Sequence, residues 1–560
     1  MPNPVSSVLD ELLPGNARLF VVSNRGPVTF ECAPGTGLGG DPDDGADSPA
    51  FRPGDLSASR GSGGLVTALA ELGRYAPITW IATSSSDGDR VAGPELRRTH
   101  KPLRAIPERD RPLASRVREL LDEQQPGQDL RLDYVDLPRE VYGRFYETIS
   151  NPFLWFLQHQ MYALPYGPNV DADLLDAWRN GYRPANKALA ERFAEASKDV
   201  ERPIVLLQDY HLYLAAGHIR ELRPDATILH FNHIPWPPAS IWQMLPQGIR
   251  RAICEGLLGS DIIGLQTDRY ADQFLDTVAS FVRDARVDRD GRSIRWHDRR
   301  IRVATYPISI DPDGLARFAR SDGVDDRLAR LEGRLERAGN PKVIVRADRI
   351  EPSKNALRGF LAFEEMLHRH PELRSQVRFV AVHAPTRTSI REYAEYAAAV
   401  REVVARINGL ADPDDQPIWI YDGSDYAMAI AAMRRADVVL VNPIVDGMNL
   451  VAKEAVLVGE RLPVLVLSET AGAAEQLASD SLAVAPADVA GTADQLERAL
   501  VMPAEERRYH LRRLRASVRE QDLAWWLRRQ LRDIAAVRSG ALAPSRRLRD
   551  TVRQVEAEPA

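Results

Sequence analysis

The feature that most restricts how this chain can fold is an alternation of short β-branched runs with longer amphipathic stretches. Such runs are too short for helices and apolar on both faces, so they belong inside a sheet covered on each side, with the amphipathic segments as the cover. One series comprises residues 19–24 (LFVVSN), 78–83 (ITWIAT), 204–208 (IVLLQ) and 226–232 (ATILHFN). A second comprises 343–348 (VIVRAD), 378–384 (RFVAVHA), 437–442 (DVVLVN) and 463–468 (PVLVLS). Two series predict an α/β protein built from two doubly wound, Rossmann-like domains. The break falls near Tyr306-Pro307, giving domains at 1–305 and 306–505, and the 560 residues suffice for two full cores.

Two segments depart from this pattern. Residues 31–60 are rich in Gly, Pro, Asp and Ser without hydrophobic periodicity, and read as a flexible insertion or a cover over a site. From Glu505 to Val537, Leu511, Leu514, Val518, Leu523, Leu527, Leu531 and Ile534 recur at helical spacing among many arginines, predicting one packing helix over 506–540 before a polar tail at 541–560.

Charge and cysteine content exclude several function classes. With 73 Lys+Arg against 79 Asp+Glu, net −6, no global basic field points to nucleic acid or an anionic membrane. Cys32 and Cys254 stand far apart without zinc-ligand spacing, which argues against a structural metal and for a reducing compartment. The start, MPNPVSSVLDELLPG, lacks the pattern of a secretory signal, and no apolar run reaches membrane-span length. A cytoplasmic protein is expected.

Ligands of such sheets bind beyond the carboxyl ends of the strands, so those positions carry the search for chemistry. RGSGGLVTAL at 60–69 places Gly63 and Gly64 ahead of a helical stretch, where backbone can approach a phosphate; a flexible turn is the plainer reading. Asp209 follows a strand and can cap a helix or accept sugar hydroxyls. His230 and His233, three apart on an extended strand, face opposite ways and make a poor chelate; His233 reads as a hydrogen-bonding wall residue. Arg349 and Lys354 flank Pro352 after a strand, where two cations can stabilise charge on a departing diphosphate without a metal. After DVVLV, Gly447 permits a tight turn, the amides of Met448, Asn449, Leu450 and Val451 open a helix toward a phosphate, and Glu454 one turn on can accept ribose hydroxyls or serve as a dipole-favoured first-turn acid. No P-loop, nucleophile elbow or HExxH is present.

Taken together and in this order, VVSNRGPV, RGSGGL, SNPFLW, QDYHLYL, NHIPWP, GLLGSDIIGLQT, YPISID, DRIEPSK, DGMNLVAKE and LSETAGAAE resemble the trehalose-6-phosphate synthase family of retaining glycosyltransferases, from residue 21 to about 500. The resemblance implies a GT-B fold, two Rossmann-like domains facing a central cleft, with no cofactor and no required metal. It places Gly63 and Gly64 on the donor, His233 on the transferred glucose, Arg349 and Lys354 on the diphosphate, Asp446 with the Gly447–Val451 backbone on glucose and phosphates, and Glu454 on ribose. For the acceptor it implies Arg25, Tyr146, Trp155, Asp209 and Arg387, with core packing an equal reading for Tyr146 and Trp155. Arginine suits a phosphate because its planar fork donates two charge-assisted hydrogen bonds.

The implied partners are a nucleotide-sugar donor and a sugar-phosphate acceptor; a homo-oligomer stays open, and the last helix is expected to return to the N-terminal domain. The implied reaction moves glucose from a nucleoside diphosphate to glucose 6-phosphate. IEPSKN in place of LDYxKG and PISID in place of PIGID look like an actinobacterial-type branch, in which GDP-glucose is as plausible a donor as UDP-glucose. Two alternatives remain: the same donor chemistry on another acceptor, as in glucosylglycerol-phosphate synthase or pseudo-glycosyltransferases, and a silent homologue that senses sugar phosphates.

Overall fold

The computed structural model describes residues 5, 8–9, 12–13, 18–33, 52–61, 69, 71–98, 101–162, 165, 167–387, 390–409 and 411–540. The chain divides into two compact units. One holds Met1–Gln158, Tyr162–Tyr306 and Leu527–Ala560; the other holds His159–Met161 and Pro307–Trp526.

The first unit is built on a nine-stranded sheet. In spatial order its strands are Leu130–Val135, Ile78–Thr83, Leu19–Ser23, Ile204–Gln208, Thr227–Phe231, Ile262–Leu265, Arg299–Thr305, Ser293–Trp296 and Arg286–Asp288. The first seven are mutually parallel and the last two antiparallel. Numbered by chain position, the parallel strands run 3-2-1-4-5-6-7, so the order reverses between Leu19–Ser23 and Ile204–Gln208. The helix Arg183–Ala196 covers this centre: Leu189 and Phe193 are fully buried with Phe20, Val22, Val205 and Leu207, and the Phe193 ring meets Phe20 edge-on at 5.2 Å. Each such side chain contributes about 1.5–3 kcal/mol by leaving water.

The second unit carries a six-stranded, wholly parallel sheet ordered Ile418–Asp422, Val377–Ala384, Lys342–Arg349, Val438–Val441, Val464–Ser468 and Leu482–Val484. By chain position this is 3-2-1-4-5-6, the dinucleotide-fold order, with its reversal between Lys342–Arg349 and Val438–Val441. Both units are therefore Rossmann-like. Each has one crevice at the carboxyl edge where neighbouring strands lead their connections to opposite faces.

Two expectations need correction. Residues 31–60 are not one unstructured insertion: Val28–Cys32 and Leu56–Arg60 pair as an antiparallel ribbon, because Val28, Phe30 and Leu56 alternate inward and are buried. The intervening 34–51 lie outside the described residues. The single helix over 506–540 is two, Ala504–Glu520 and Leu523–Arg538. The break has a local cause: the Leu523 amide donates to Ile310 O at 2.9 Å, and Asp522 accepts the Trp525 amide at 2.8 Å as a new N-cap. The first helix and the turn belong to the second unit, and Leu527 onward belongs to the first, where Asp533 accepts the Tyr306 hydroxyl at 2.5 Å and pairs with Arg302 at 3.1 Å. The tail, 541–560, lies outside the described residues. No helix among the described residues is long and apolar enough to cross a membrane.

Candidate functional site

In the first unit the reversal of strand order brings Asn24-Arg25 and Asp209 to one edge. The turn after Leu19–Ser23 is fastened from below: Thr83 donates to Asn24 O at 2.6 Å and Trp80 to the Ser23 hydroxyl at 2.8 Å, while that hydroxyl donates to Arg25 O. Arg25 is left exposed, with Nη2 donating to the Tyr146 hydroxyl at 2.8 Å and its guanidinium 5.8 Å from that ring. Tyr146 in turn stacks on His211 at 5.9 Å and on Tyr142 at 5.5 Å. A cation held by aromatic rings rather than by a carboxylate keeps its full charge for an anion. Trp155 is buried and meets Phe156 edge-on at 5.5 Å.

Asp209 does not cap the short helix after it. Its φ of +72° and ψ of 175° lie in a region L-residues rarely occupy, a strain of order 1–3 kcal/mol. The backbone is held there from two sides, by its amide donating to Phe231 O at 2.7 Å and by Oδ1 accepting the His233 amide at 3.1 Å. His230 lies in the strand Thr227–Phe231 and His233 two residues beyond its end, so strand alternation does not relate the two, and both meet Asp209. His230 Nε2 donates to Asp209 O at 3.2 Å, and His233 Nε2 hydrogen-bonds the side-chain amide of Gln208 at 2.9 Å. Burial, and for His233 also the neighbouring His230, lowers each imidazole to about 3, so both are neutral at pH 7.

In the second unit Arg349 closes its strand and the turn Pro352–Lys354 follows. That turn is bolted to the body of the unit: Arg346 Nη2 donates to Lys354 O at 2.9 Å, Ile444 N to Ser353 O at 2.8 Å, and Asn355, in the left-handed region, to Asn442 O and Pro486 O. Lys354 is thereby aimed at Asp446, which accepts from its Nζ and from Asn449 Nδ2 at 3.1 Å. Burial pushes the Asp446 carboxyl up, but Lys354, His159 and Asn449 outweigh it and hold the group ionised below its ordinary range. Beneath them Glu351 is almost wholly buried, accepting Arg349 Nη2 at 3.2 Å and lying 4.0 Å from Lys354. It too is pushed up by burial and pulled down further by Arg349, Lys354, Arg387 and His159. Arg387 thus groups with Arg349 and Lys354 in the second unit, its Nη1 donating to the Tyr393 hydroxyl at 2.5 Å.

The DGMN turn is tighter than its sequence implies. Its left-handed residue is Asn449, φ +81°, which caps the helix Leu450–Val458 by accepting the Ala452 amide at 3.3 Å. Gly472 is the glycine the turn requires: any Cβ there would sit 1.9 Å from Gly447 O. Ala473 donates to Met448 O at 2.7 Å and Gly472 to Asp446 O at 3.1 Å, which pins the turn, and as first-turn groups the amides of Leu450 and Val451 have no acceptor within their helix. Glu454, one turn in, accepts the Tyr426 hydroxyl at 2.9 Å, and burial raises its carboxyl above the ordinary range. Its neighbour Lys453 is fully buried and donates to Ile308 O at 2.9 Å. Gly63 and Gly64 lie outside the described residues. Glu351, His159, His211 and Tyr426 are not marked by spacing in the sequence: Glu351 and His211 sit inside the motifs DRIEPSK and QDYHLYL, and His159 and Tyr426 outside any motif.

The model of the family described as glycosyltransferase family 20 matches residues 52–536. The chain belongs to this family, that of the trehalose-6-phosphate synthases. Among similar proteins, a bifunctional trehalose-6-phosphate synthase/phosphatase of Thermoproteus tenax is 36% identical over 73% of this chain, and the match spans 54% of that longer relative. A validamine 7-phosphate valienyltransferase of Streptomyces hygroscopicus subsp. jinggangensis is 29% identical over 95% of this chain and 97% of its own length. Among solved structures, a UDP-forming alpha,alpha-trehalose-phosphate synthase from Burkholderia xenovorans in complex with glucose-6-phosphate superposes with a TM-score of 0.72. It is 26% identical, covering 93% of this chain and 100% of that one. The family fold is GT-B, which agrees with the two Rossmann-like units.

Proposed function

We propose that this family 20 member transfers glucose from a nucleoside diphosphate glucose to the anomeric hydroxyl of glucose 6-phosphate, forming trehalose 6-phosphate with retention at the donor carbon. The observation that carries the reading is the cluster at the strand reversal of the second unit, where Arg349, Lys354 and Arg387 surround Glu351 beside a helix start. When the bond between the anomeric carbon and the diphosphate oxygen breaks, negative charge collects on the leaving diphosphate. Fixed cations and helix amides stabilise that charge at no reorganisation cost, the kind of contribution that is worth about 10²–10³-fold in rate per donor group.

The acceptor hydroxyl bonds to the same face of the carbon, and its proton passes to a diphosphate oxygen. In this scheme Asp446, held ionised by Lys354, and the Gly447–Val451 backbone orient donor glucose and phosphates, Glu454 takes the ribose hydroxyls, and neutral His233 lines the glucose. Arg25 and Tyr146 receive the acceptor phosphate, and Asp209 an acceptor hydroxyl. Arg387 is assigned here to whichever phosphate lies above Glu351.

The valienyltransferase relative gives a second reading specific support, since a cyclitol phosphate offers the same phosphate and hydroxyl pattern to Arg25 and Asp209. One experiment separates them. The purified chain, in the presence of chelator, is given UDP-, GDP- or ADP-glucose with glucose 6-phosphate or a cyclitol phosphate. Trehalose 6-phosphate is the expected product and the chelator has no effect. No trehalose 6-phosphate with any donor overturns the first reading, and turnover only with the cyclitol phosphate establishes the second.

A further inference from the structure

We infer that Tyr426, backed by Phe318, is the platform on which the donor's nucleobase stacks. The inference rests on the reading of Glu454 as the ribose carboxylate, and adds what lies beyond it.

Apolar aromatic faces are normally withdrawn from water, and among the described residues the exposed rings are Phe318, Tyr426 and Tyr509. Two of these stand together, Tyr426 on Phe318 with centroids 5.1 Å apart and planes 26° from parallel. They remain 47% and 37% exposed despite that contact, so the pair presents an uncovered aromatic face rather than a packed one. Its position is fixed from behind. Tyr426 opens the helix Tyr426–Arg435, capped by Asp425 Oδ1 on the Met428 amide at 3.0 Å, and Asp425 Oδ2 is held by Arg327 at 2.7 Å. Phe318 ends the helix Pro312–Phe318.

What points the pair at a nucleobase is the Tyr426 hydroxyl. It donates to Glu454 Oε1 at 2.9 Å, one helical turn beyond Asn449 and the Lys354–Asp446 contact. The order along the surface is thus cations, helix start, ribose carboxylate, exposed aromatic face, which is the order of diphosphate, ribose and base in a nucleoside diphosphate. A hydroxyl on one oxygen of Glu454 also fixes the carboxylate's rotation while leaving its other oxygen to a ribose hydroxyl. Stacking tolerates any base, because every base has a π-face, and rewards the larger overlap of a purine.

The test measures binding of UDP, GDP, ADP and inorganic pyrophosphate to the full chain by calorimetry. Alanine replacement of a base-stacking aromatic costs on the order of 1–3 kcal/mol, so Tyr426→Ala is expected to weaken GDP and ADP about ten-fold or more and UDP less, with pyrophosphate unchanged. Tyr426→Phe keeps the face and loses the Glu454 bond, and is expected to lower all three nucleotides alike by about three-fold. Phe318→Ala lowers the purine nucleotides in the same direction as Tyr426→Ala. Wild-type nucleotide affinities retained in Tyr426→Ala overturn the inference, as does an equal loss for pyrophosphate, which marks a merely structural role. Failure of the wild type to bind any of the three nucleotides overturns the functional reading and this one with it.

Discussion

Lys354→Ala is the perturbation that most directly probes the cation cluster. Lys354 and Asp446 form an ion pair with side chains 15% and 13% exposed, and Glu351, 1% exposed, lies 4.0 Å from the same ammonium. Removing one partner of a fully buried pair costs about 3–5 kcal/mol. Here some solvent reaches Asp446 and Asn449 keeps its hydrogen bond, so a loss of about 2 kcal/mol at pH 7 is expected. The pH dependence has a definite sign. In the wild type the Asp446 carboxyl lies below its ordinary value, so its contribution is present above the unfolded pKa of about 3.9 and is lost as pH falls through the folded value. Without Lys354 the burial remains and drives the carboxyl upward, so the variant is penalised at pH 7 and recovers as Asp446 takes up a proton. Urea denaturation at pH 7, 5.5 and 4.5 should show the gap narrowing with acidity, while kcat falls about 10²–10³-fold. The double variant Lys354→Met with Asp446→Asn, which removes both charges, should regain most of the stability and none of the rate. A stability gap that does not change with pH, or a double variant no more stable than the single one, would refute the electrostatic account; turnover within three-fold of wild type would remove Lys354 from the reaction.

Asp209→Gly and Asp209→Ala both delete the bond to the His233 amide, but only glycine relieves the strained backbone; the glycine variant should be about 1–3 kcal/mol more stable than the alanine one in chemical denaturation, with both inactive. Gly472→Ala forces a methyl against Gly447 O and should cost about 1–3 kcal/mol in stability together with a raised donor KM at unchanged acceptor KM. His230, fully buried with its imidazole lowered to about 3, is neutral when folded and charged below about pH 6.5 when unfolded. Stability should therefore fall as pH drops from 6.5 toward 3, and His230→Asn should flatten that slope in thermal melts at stepped pH.

How far the sequence foretold this molecule follows from what each residue buries. The runs 19–24, 204–208 and 343–348 were legible because their strands lie in sheet interiors covered on both faces, which favours near-continuous apolar runs; the charged Arg346 inside them is buried and paired with Asp348. Leu130–Val135 was missed because it is an edge strand with an exposed Arg131, and Ser293–Trp296 because only its first two residues, Ser293 and Ile294, are buried, too short a pattern to stand out. The site divides the same way. Arg25, Asp209 and Arg349 stand at strand ends, where chain reversal dictates that a ligand can enter, whereas Asp446 was implied only by the family resemblance. Glu351, Tyr426 and His211 matter through partners such as Arg387, Glu454 and Tyr146, which are 36, 28 and 65 positions away, and spacing in sequence carries no trace of such contacts.

On the proposed reading, Glu351 places an acidic residue beneath the cations that take the diphosphate. Three cations set around an empty site repel one another and, being long, sample many rotamers; a carboxylate beneath them neutralises part of the charge and holds Arg349 from below at 3.2 Å. If the cations take the diphosphate as proposed, this carboxylate weakens the attraction for it and trades ground-state affinity for orientation. Glu351→Gln removes one negative charge from a nearly solvent-free position and should tighten binding of a nucleoside diphosphate several-fold in calorimetry, most strongly at low salt. The same change frees Arg349 and Lys354 to move, and preorganised charge is what acts on the transition state, so kcat should fall at least ten-fold while donor KM falls with it. Loss of affinity and rate together would mean that Glu351 merely supports the fold. Tighter binding with slower transfer would mean that the site is built to fit charge that appears only as the bond breaks.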